Sequence, residues 1–368
     1  MKEESHVRTP SRRLIGALAA FALVVAACGS LTPTPAPTAS TAASAAPSAS
    51  APSASGGASQ AASAAPSQAG GGAKTIGVVS LAANNGGSAR MIAAMKQTAS
   101  QLGWTLQVVD TAGDPGKVAA AVSSFTTAKV DGIVVDILDP SALTTQIAAA
   151  KAAGIPFISV NSNDYDPNVS AQIVANPFDV GAQEATYIAD RLGRQGNVAM
   201  LAFSAATNIR LRQTAFEAAL GSYPGIKIVE KHELDVAKAL DDAQATTQAW
   251  LTKYPSGQLN AIWGAWDEPA LGAAAAADAA GRKDLFVVGT DYQPAVGQRM
   301  QQGSVLQADW FIDYPTIGTT AMQLFQDAFA GKALPPHVYV ALQLVTPQTL
   351  PSADFPPPSS TYTLWNGQ

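Results

Sequence analysis

The sequence predicts an α/β protein with two Rossmann-like lobes, in each of which helices flank a parallel sheet. From about residue 74 onward, short runs rich in β-branched residues alternate with amphipathic helical stretches. This alternation occurs in two successive sets. Continuous apolar strands separated by helices are typical of βαβ units, whose parallel sheets are covered on both faces. Two sets of roughly 100–150 residues fit two lobes with a cleft between them better than one extended sheet.

The first set contains four apolar runs that are expected to be strands, at 76–81, 106–109, 132–136 and 156–160. Between them lie helical stretches near 88–102 and 117–128, and a third that ends at Gly154. The first helix carries an apolar stripe at helical spacing, formed by Ile92, Met95, Ala99 and Leu102. The third helix is expected to begin at Asp139-Pro140, an N-cap residue followed by a first-turn proline.

The second set repeats the pattern with strands expected at 198–202, 226–229, 261–264, 286–289 and 305–312. Helices are expected near 208–220 and 238–253, and a further one should end at Gly281. Trp263 lies inside an apolar strand, which favours a place in the core.

The amino-terminal residues predict a lipoprotein signal peptide that spans 1–28. Basic residues precede an apolar run of about a dozen residues, a length that suits a signal sequence and is short for a membrane span. The run ends in Val25-Ala26-Ala27-Cys28, which resembles the bacterial lipobox, and Cys28 is the single cysteine of the chain. Cys28 is therefore the expected lipid attachment site, and the alternative is an ordinary secretory signal. Acyl chains on Cys28 would anchor the protein to the outer side of the cell membrane.

Residues 29–73 are almost entirely Ala, Ser, Pro, Thr and Gly, and they carry no charge. A segment with so few large apolar side chains cannot offset the entropy cost of folding. It is expected to be a disordered tether, with a glycosylated stalk as the open alternative.

Composition excludes several classes of function. A net charge of −5 argues against a nucleic-acid partner, which would require concentrated Lys and Arg. The 3 histidines stand apart from one another, and neither a nucleophile elbow, a phosphate-binding Gly-Lys-Ser/Thr loop nor a Cys/His metal spacing occurs. Neither enzymatic activity, a cofactor nor a metal is therefore expected.

Polar and aromatic residues follow many of the predicted strands. Because parallel α/β sheets bind ligands at the carboxyl ends of their strands, these residues are the expected site. Amide and carboxyl groups suit vicinal hydroxyls, and an indole face can pack on a sugar ring. Structural alternatives remain open: Asp110 could begin a turn and Asp267 could be an N-cap. The candidates from this pattern include Asn85, Asp136, Asn161, Ser162, Arg210, Trp266, Asp291 and Trp310.

Several segments together resemble the periplasmic binding protein type 1 class, close to the ribose-binding branch of sugar receptors. The resemblance covers nearly all of residues 75–348 and depends on the order and spacing of its parts. These are Ile76–Val79 with Asn84-Asn85, Lys129–Val135, Ala153–Asn161, Asn208–Arg212, Trp266–Gly272, Val287–Asp291 and Asp313–Gly318.

The resemblance implies which residues surround the ligand and where the lobes divide. Lobe 1 would comprise 74–174 plus 313–341, and lobe 2 would comprise 175–312 plus 342–350, with a three-segment hinge near 174, 312 and 341. Residues 351–368 would form an irregular Pro-rich tail. The residues placed around the ligand are Asn85, Asn161, Ser162, Arg210, Trp266 and Asp291.

This sequence departs from the ribose-type pattern at several of these positions. Gly86-Gly87-Ser88 stands where two aromatic residues are usual after the asparagine pair. Asn161-Ser162 replaces Asp-Arg, Trp266 replaces an asparagine, and Ile312 replaces a glutamine. These departures leave the receptor class intact and the identity of the sugar open.

The expected function is an extracytoplasmic sugar-binding lipoprotein that delivers its ligand to an ABC permease by cleft closure. The ligand would be a monosaccharide or a polyol, and the protein is expected to be a monomer. A receptor for a non-sugar solute, or a sensory protein without a transport role, is the alternative. A repressor with the same lobes would need a basic helix-turn-helix where this chain has its signal and tether.

Overall fold

The computed structural model describes residues 72–364, so the predicted signal, Cys28 and nearly all of the predicted tether lie outside the described residues. Within this range the chain forms two separate sheets, and each sheet has its own helices and its own apolar core. The predicted fold class is confirmed.

The first lobe is built on a seven-stranded sheet. Its strand order is β13-β11-β5-β4-β3-β1-β2, and all pairs are parallel except β11 with β13. The strands are β1 (Thr75–Ser80), β2 (Thr105–Asp110), β3 (Gly132–Asp136), β4 (Phe157–Val160), β5 (Ala171–Val174), β11 (His337–Val340) and β13 (Thr361–Tyr362). The helices of this lobe are α1 (Gly86–Leu102), α2 (Pro115–Thr127), α3 (Thr144–Ala152) and α9 (Tyr314–Phe329).

The second lobe is built on a six-stranded sheet of order β12-β10-β9-β8-β6-β7, in which only β12 is antiparallel. The strands are β6 (Gly196–Ala202), β7 (Ile226–Glu233), β8 (Ala261–Gly264), β9 (Phe286–Asp291), β10 (Leu306–Phe311) and β12 (Gln343–Val345). Its helices are α4 (Pro177–Arg191), α5 (Thr207–Leu220), α6 (Ala239–Lys253), α7 (Asp267–Ala279) and α8 (Pro294–Gln301).

Burial explains why the strands have these sequences. Every residue of β3, β4, β5 and β8 is buried, as expected for central strands covered by helices on both faces. The edge strands β2 and β7 instead consist of exposed and partly buried positions, apart from the buried Ile226 at the start of β7. Trp263 of β8 is fully buried and stacks on Phe216 with ring centroids 4.9 Å apart, which confirms its expected place in the core.

The chain passes between the two sheets after β5, after β10 and after β11. It crosses a fourth time, back to the first sheet, where Thr361 and Tyr362 pair with Val340 and Tyr339. The sequence suggested only an irregular tail there. A two-residue strand that follows a proline-rich stretch has no detectable alternation, and the pairing depends on a distant edge of the sheet.

Among residues 72–364, no helix is both long and apolar enough to cross a membrane.

Candidate functional site

At the carboxyl end of the first sheet, Asp136 organises a buried polar group. Its carboxylate accepts a hydrogen bond from Ser80 Oγ at 2.7 Å and from Asn161 Nδ2 at 2.7 Å. Burial raises the pKa of Asp136, although hydrogen bonds from Ser88, Ser80 and Asn161 oppose the rise. Both carboxylate oxygens of Asp136 already have donors and the residue is fully buried. Asp136 is therefore placed to orient the side chain of Asn161.

Asn161 begins the loop after β4 with a φ of 56°, in the left-handed region that asparagine tolerates better than most residues. The next residue, Ser162, donates from Oγ to Asp139 Oδ1 at 2.5 Å. The other oxygen of Asp139 accepts a hydrogen bond from Thr207 Oγ1 of α5. Asp139 therefore joins the two lobes directly at this end of the cleft, whereas the sequence suggested a helix cap, and its side chain makes no capping bond.

Asp291 ends β9 in the second lobe and, like Asn161, has an unusual backbone, since its φ is 107°. Positive φ at a non-glycine residue is uncommon and recurs at functional sites. Asp291 Oδ1 accepts a hydrogen bond from Tyr314 Oη at 3.1 Å, at the start of α9 in the first lobe. Burial raises the pKa of Asp291 to about 6, against the opposing charge of Arg212.

Arg212 of α5 is 4% exposed, and its Nη1 donates to the backbone oxygen of Ala265 at 2.5 Å. Near Arg212 lies Glu184 of α4, which is fully buried and accepts hydrogen bonds from Trp263 Nε1 at 2.8 Å and from Thr290 Oγ1. Burial raises the pKa of Glu184 from 4.5 to about 7, although Arg212 lowers it. The charge of Arg212 thus acts on two buried carboxyl groups, those of Glu184 and Asp291, and opposes the rise in the pKa of both.

Glycine residues allow these groups to approach. A Cβ at Gly181 of α4 would lie 2.1 Å from the backbone oxygen of Arg212, so only glycine lets α4 and α5 pack this closely. A Cβ at Gly87 would lie 2.5 Å from the ring of Tyr314, so this glycine gives Tyr314 the space from which it reaches Asp291.

The remaining sequence candidates lie in different surroundings. Asn85 is exposed and caps α1 by accepting a hydrogen bond from the Gly87 N–H at 3.0 Å. Arg210 donates to the backbone oxygen of Ser204 and to Thr207 Oγ1, both at 2.8 Å, so it supports the residue that bonds Asp139.

The two tryptophan candidates are both buried. Trp266 is 8% exposed and contacts Phe203 edge to face, with ring centroids 6.0 Å apart. Trp310 is 1% exposed, donates to Gln183 Oε1 of α4 at 3.1 Å and packs against Tyr187. Trp310 therefore contributes to the packing between β10 and α4.

Within residues 72–364, several buried side-chain atoms at this site have no hydrogen-bond partner in the protein. Buried polar groups are normally paired, so unpaired donors and acceptors indicate the place of a small polar molecule. They include Arg90 Nη1 and Nη2, Arg212 Nε, Asn163 Oδ1 and Glu268 Oε2, and also Asp267 Oδ1 and Oδ2 and Asp309 Oδ2. The same part of the chain contains no cluster of three or more His, Cys, Asp or Glu side chains that could hold a metal ion.

Sequence reasoning selected Arg210, which is exposed, and did not select Arg212, which is buried. A usable signal was present, because Arg212, Phe216 and Leu220 follow one another at intervals of four and form the buried stripe of α5. A charged residue on an apolar stripe must be buried with its partners. Arg90, on α1, gave no comparable signal.

Comparison with known proteins agrees with this architecture. The model of the periplasmic binding protein domain matches residues 76–333. A ribose import binding protein of Bacillus subtilis is 25% identical over 277 residues, which are 74% of this chain and 87% of that protein. A xylitol-binding protein of Mycolicibacterium smegmatis is 30% identical over 179 residues, about half of each protein (48% and 50%).

Among solved structures, an ABC transporter solute-binding protein from Agrobacterium vitis with bound allitol superposes with a TM-score of 0.70 and 26% identity. The superposition covers 76% of this chain and 97% of that one. With the family model matching well over half of its length, this chain belongs to the periplasmic binding protein family.

Proposed function

We propose that this protein captures a monosaccharide or a polyol between its lobes and delivers it to an ABC importer. The observation that carries the proposal is the group of unpaired buried donors and acceptors contributed by both lobes around Arg212 and Asp291. Arginine and carboxylate side chains together offer the donors and acceptors that neighbouring hydroxyl groups require. The names of similar proteins mention xylitol, ribose and allitol. All three are polyhydroxylated compounds, which supports this class of ligand.

The proposed ligand contacts follow from the placement of the residues. Asn161 and Ser162 would approach the ligand from the first lobe, on the support of Asp136 and Asp139. Asn85 would contribute from the start of α1.

The second lobe would contribute Asp291 and Arg212, with Trp266 as an apolar wall. Arg210 would act at the mouth of the cleft through Thr207. We assign Trp310 a supporting role behind the wall, because it packs against α4.

Delivery requires that the ligand favour one arrangement of the lobes. A ligand bonded to both lobes favours the closed arrangement by its differential affinity, and closure is the state that a permease would recognise. The hydrogen bond from Thr207 to Asp139 joins the lobes and would form part of the closed state. No catalytic step and no cofactor enter this mechanism.

The anchoring of the receptor is a separate part of the proposal. The lipobox at Cys28 and the uncharged segment that follows it support an outward-facing lipoprotein on a flexible tether, in which each receptor acts as a monomer. Fatty-acid labelling of cells that express the protein should mark the parent and not Cys28→Ser. Label retained by Cys28→Ser would contradict the anchor.

A thermal-shift screen of pentoses, hexoses and polyols, followed by calorimetry, tests the ligand class. A ligand at 100 times its Kd should stabilise the protein by about 2.7 kcal/mol. Asp291→Asn should weaken binding at least about 30-fold, because it removes the charge of a buried charge-assisted contact and turns one acceptor oxygen into a donor, a loss of about 2–5 kcal/mol. Asp190→Asn is the matched control, since Asp190 is largely exposed on α4. Unchanged affinity of a folded Asp291→Asn variant, or no stabilising sugar or polyol, would refute the proposal.

A further inference from the structure

The C-terminal strap, residues 351–364, is bonded to both lobes. Its strand β13 lies on the edge of the first sheet. The Ser359 N–H donates to Asp313 Oδ2 at 2.7 Å, where the chain returns from β10 to α9. Tyr362 Oη donates to Asp179 Oδ2 of α4 at 2.8 Å, in the second lobe. The strap therefore has a defined path across the junction of the lobes.

Phe355 of the strap packs on Arg90 of α1. The guanidinium carbon lies 4.3 Å from the centroid of the Phe355 ring, 5.5 Å from that of Tyr314 and 6.0 Å from that of Phe311. Phe355 also packs against Phe311, with centroids 6.3 Å apart. A guanidinium over aromatic faces is attracted by the ring quadrupoles and loses rotational freedom. Aromatic side chains from two parts of the chain, Phe311 with Tyr314 and Phe355 of the strap, thus restrict Arg90.

The donors of Arg90 are not used within the protein. Its Nε donates to the Gly86 backbone oxygen at 3.3 Å, whereas Nη1 and Nη2 are buried without a partner. Leaving charged donors unpaired away from water is costly. Arg90 and Asp291 both contact Tyr314, so they lie near each other, and the charge of Arg90 opposes the rise that burial causes in the pKa of Asp291. The free donors are consequently next to the polar centre of the cleft.

We propose that Arg90 binds the ligand through Nη1 and Nη2, and that the strap is a positioning element that holds Arg90 in place through Phe355. This inference rests on the proposed function. Arg90 would donate to a hydroxyl or ring oxygen of the polyhydroxylated ligand.

Calorimetry on the full chain, with the tightest sugar or polyol from the screen, tests the inference. Arg90→Met keeps the length of the side chain and removes its donors, so the affinity should fall about 10-fold to 100-fold. Phe355→Ala should lower the affinity about 3-fold to 10-fold, and Phe355→Tyr should restore it, because a tyrosine ring also binds cations. The double variant Arg90→Met with Phe355→Ala should bind no more weakly than Arg90→Met alone, since Phe355 acts through Arg90.

Arg191→Met is the matched control, because Arg191 lies 4.9 Å from the centroid of Phe286 on the second lobe, in a comparable cation–π pair away from the strap. It should bind like the parent. Unchanged affinity in a folded Arg90→Met variant, or additive losses in the double variant, would overturn the inference and leave the proposed function standing. If the parent binds none of the sugars or polyols, the proposed function fails and this inference fails with it.

Discussion

Glu184 predicts a specific dependence of stability on pH. Its carboxyl group is fully buried and has a pKa of about 7, because burial outweighs the charge of Arg212 and the hydrogen bonds from Thr290 and Trp263. The substitution Glu184→Gln mimics the protonated form and can keep one acceptor for Trp263 and one donor for Thr290. The free energies of unfolding of the two proteins should therefore diverge only above the pH at which Glu184 ionises in the unfolded chain.

The sign follows from the proton balance. Below pH 4.5, the ordinary pKa, the folded and unfolded states both hold the proton. As the pH rises toward 7, the unfolded chain releases it while the folded protein retains it, so the free energy of unfolding falls. Above pH 7 the folded protein also releases the proton, so the loss of stability has reached its full size and does not grow further. A pKa of about 7 against 4.5 corresponds to about 3 kcal/mol, because each pKa unit is worth about 1.4 kcal/mol.

Urea unfolding followed by circular dichroism, without ligand, measures this difference. Between pH 4.5 and about pH 8, Glu184→Gln should gain about 3 kcal/mol of stability relative to the parent. Glu230→Gln is the control with the opposite sign, because hydrogen bonding from Lys253 lowers the pKa of Glu230. Glu230→Gln should therefore be less stable than the parent by a constant amount between pH 4.5 and about pH 8, and this deficit should shrink only as the pH falls below 4.5. A constant stability difference between the parent and Glu184→Gln over this range would refute the reasoning.

Three further predictions concern packing and closure. Gly181→Ala would place a Cβ 2.1 Å from a backbone oxygen of α5, so urea unfolding should show a loss of at least about 2 kcal/mol, and a stability equal to the parent would contradict the close packing. Thr207→Val removes the hydrogen bond to Asp139 and should raise Kd about 3-fold to 10-fold through faster dissociation in stopped-flow measurements, whereas Thr214→Val on the exposed side of the same helix should not. Ligand affinity in calorimetry should fall as the pH decreases through about 6, where Asp291 takes up a proton, and a parent profile as flat as that of Asp291→Asn would exclude this role.

Local sequence predicted the elements well because their signals are local. The run Gly132–Asp136 is apolar throughout and became a central strand, and Trp263 lies in the core where its strand placed it. Asp139 shows the limit of local reasoning. An aspartate before a proline usually caps a helix, but here it bonds Ser162 and, across the cleft, Thr207. Thr207 is far away in sequence, so a local pattern could not reveal the contact.

The sequence by itself determined the alternation of strands and helices, the division into two lobes and the polar character of the strand ends. These depend on hydrophobic periodicity and on turn residues, which act over a few positions. Only the tertiary structure showed that Arg212 is buried while Arg210 is exposed, and only it brought Phe355 onto Arg90. The reason is that burial of a charged group depends on which distant surfaces meet around it, and those surfaces are set by the packing of whole helices and sheets.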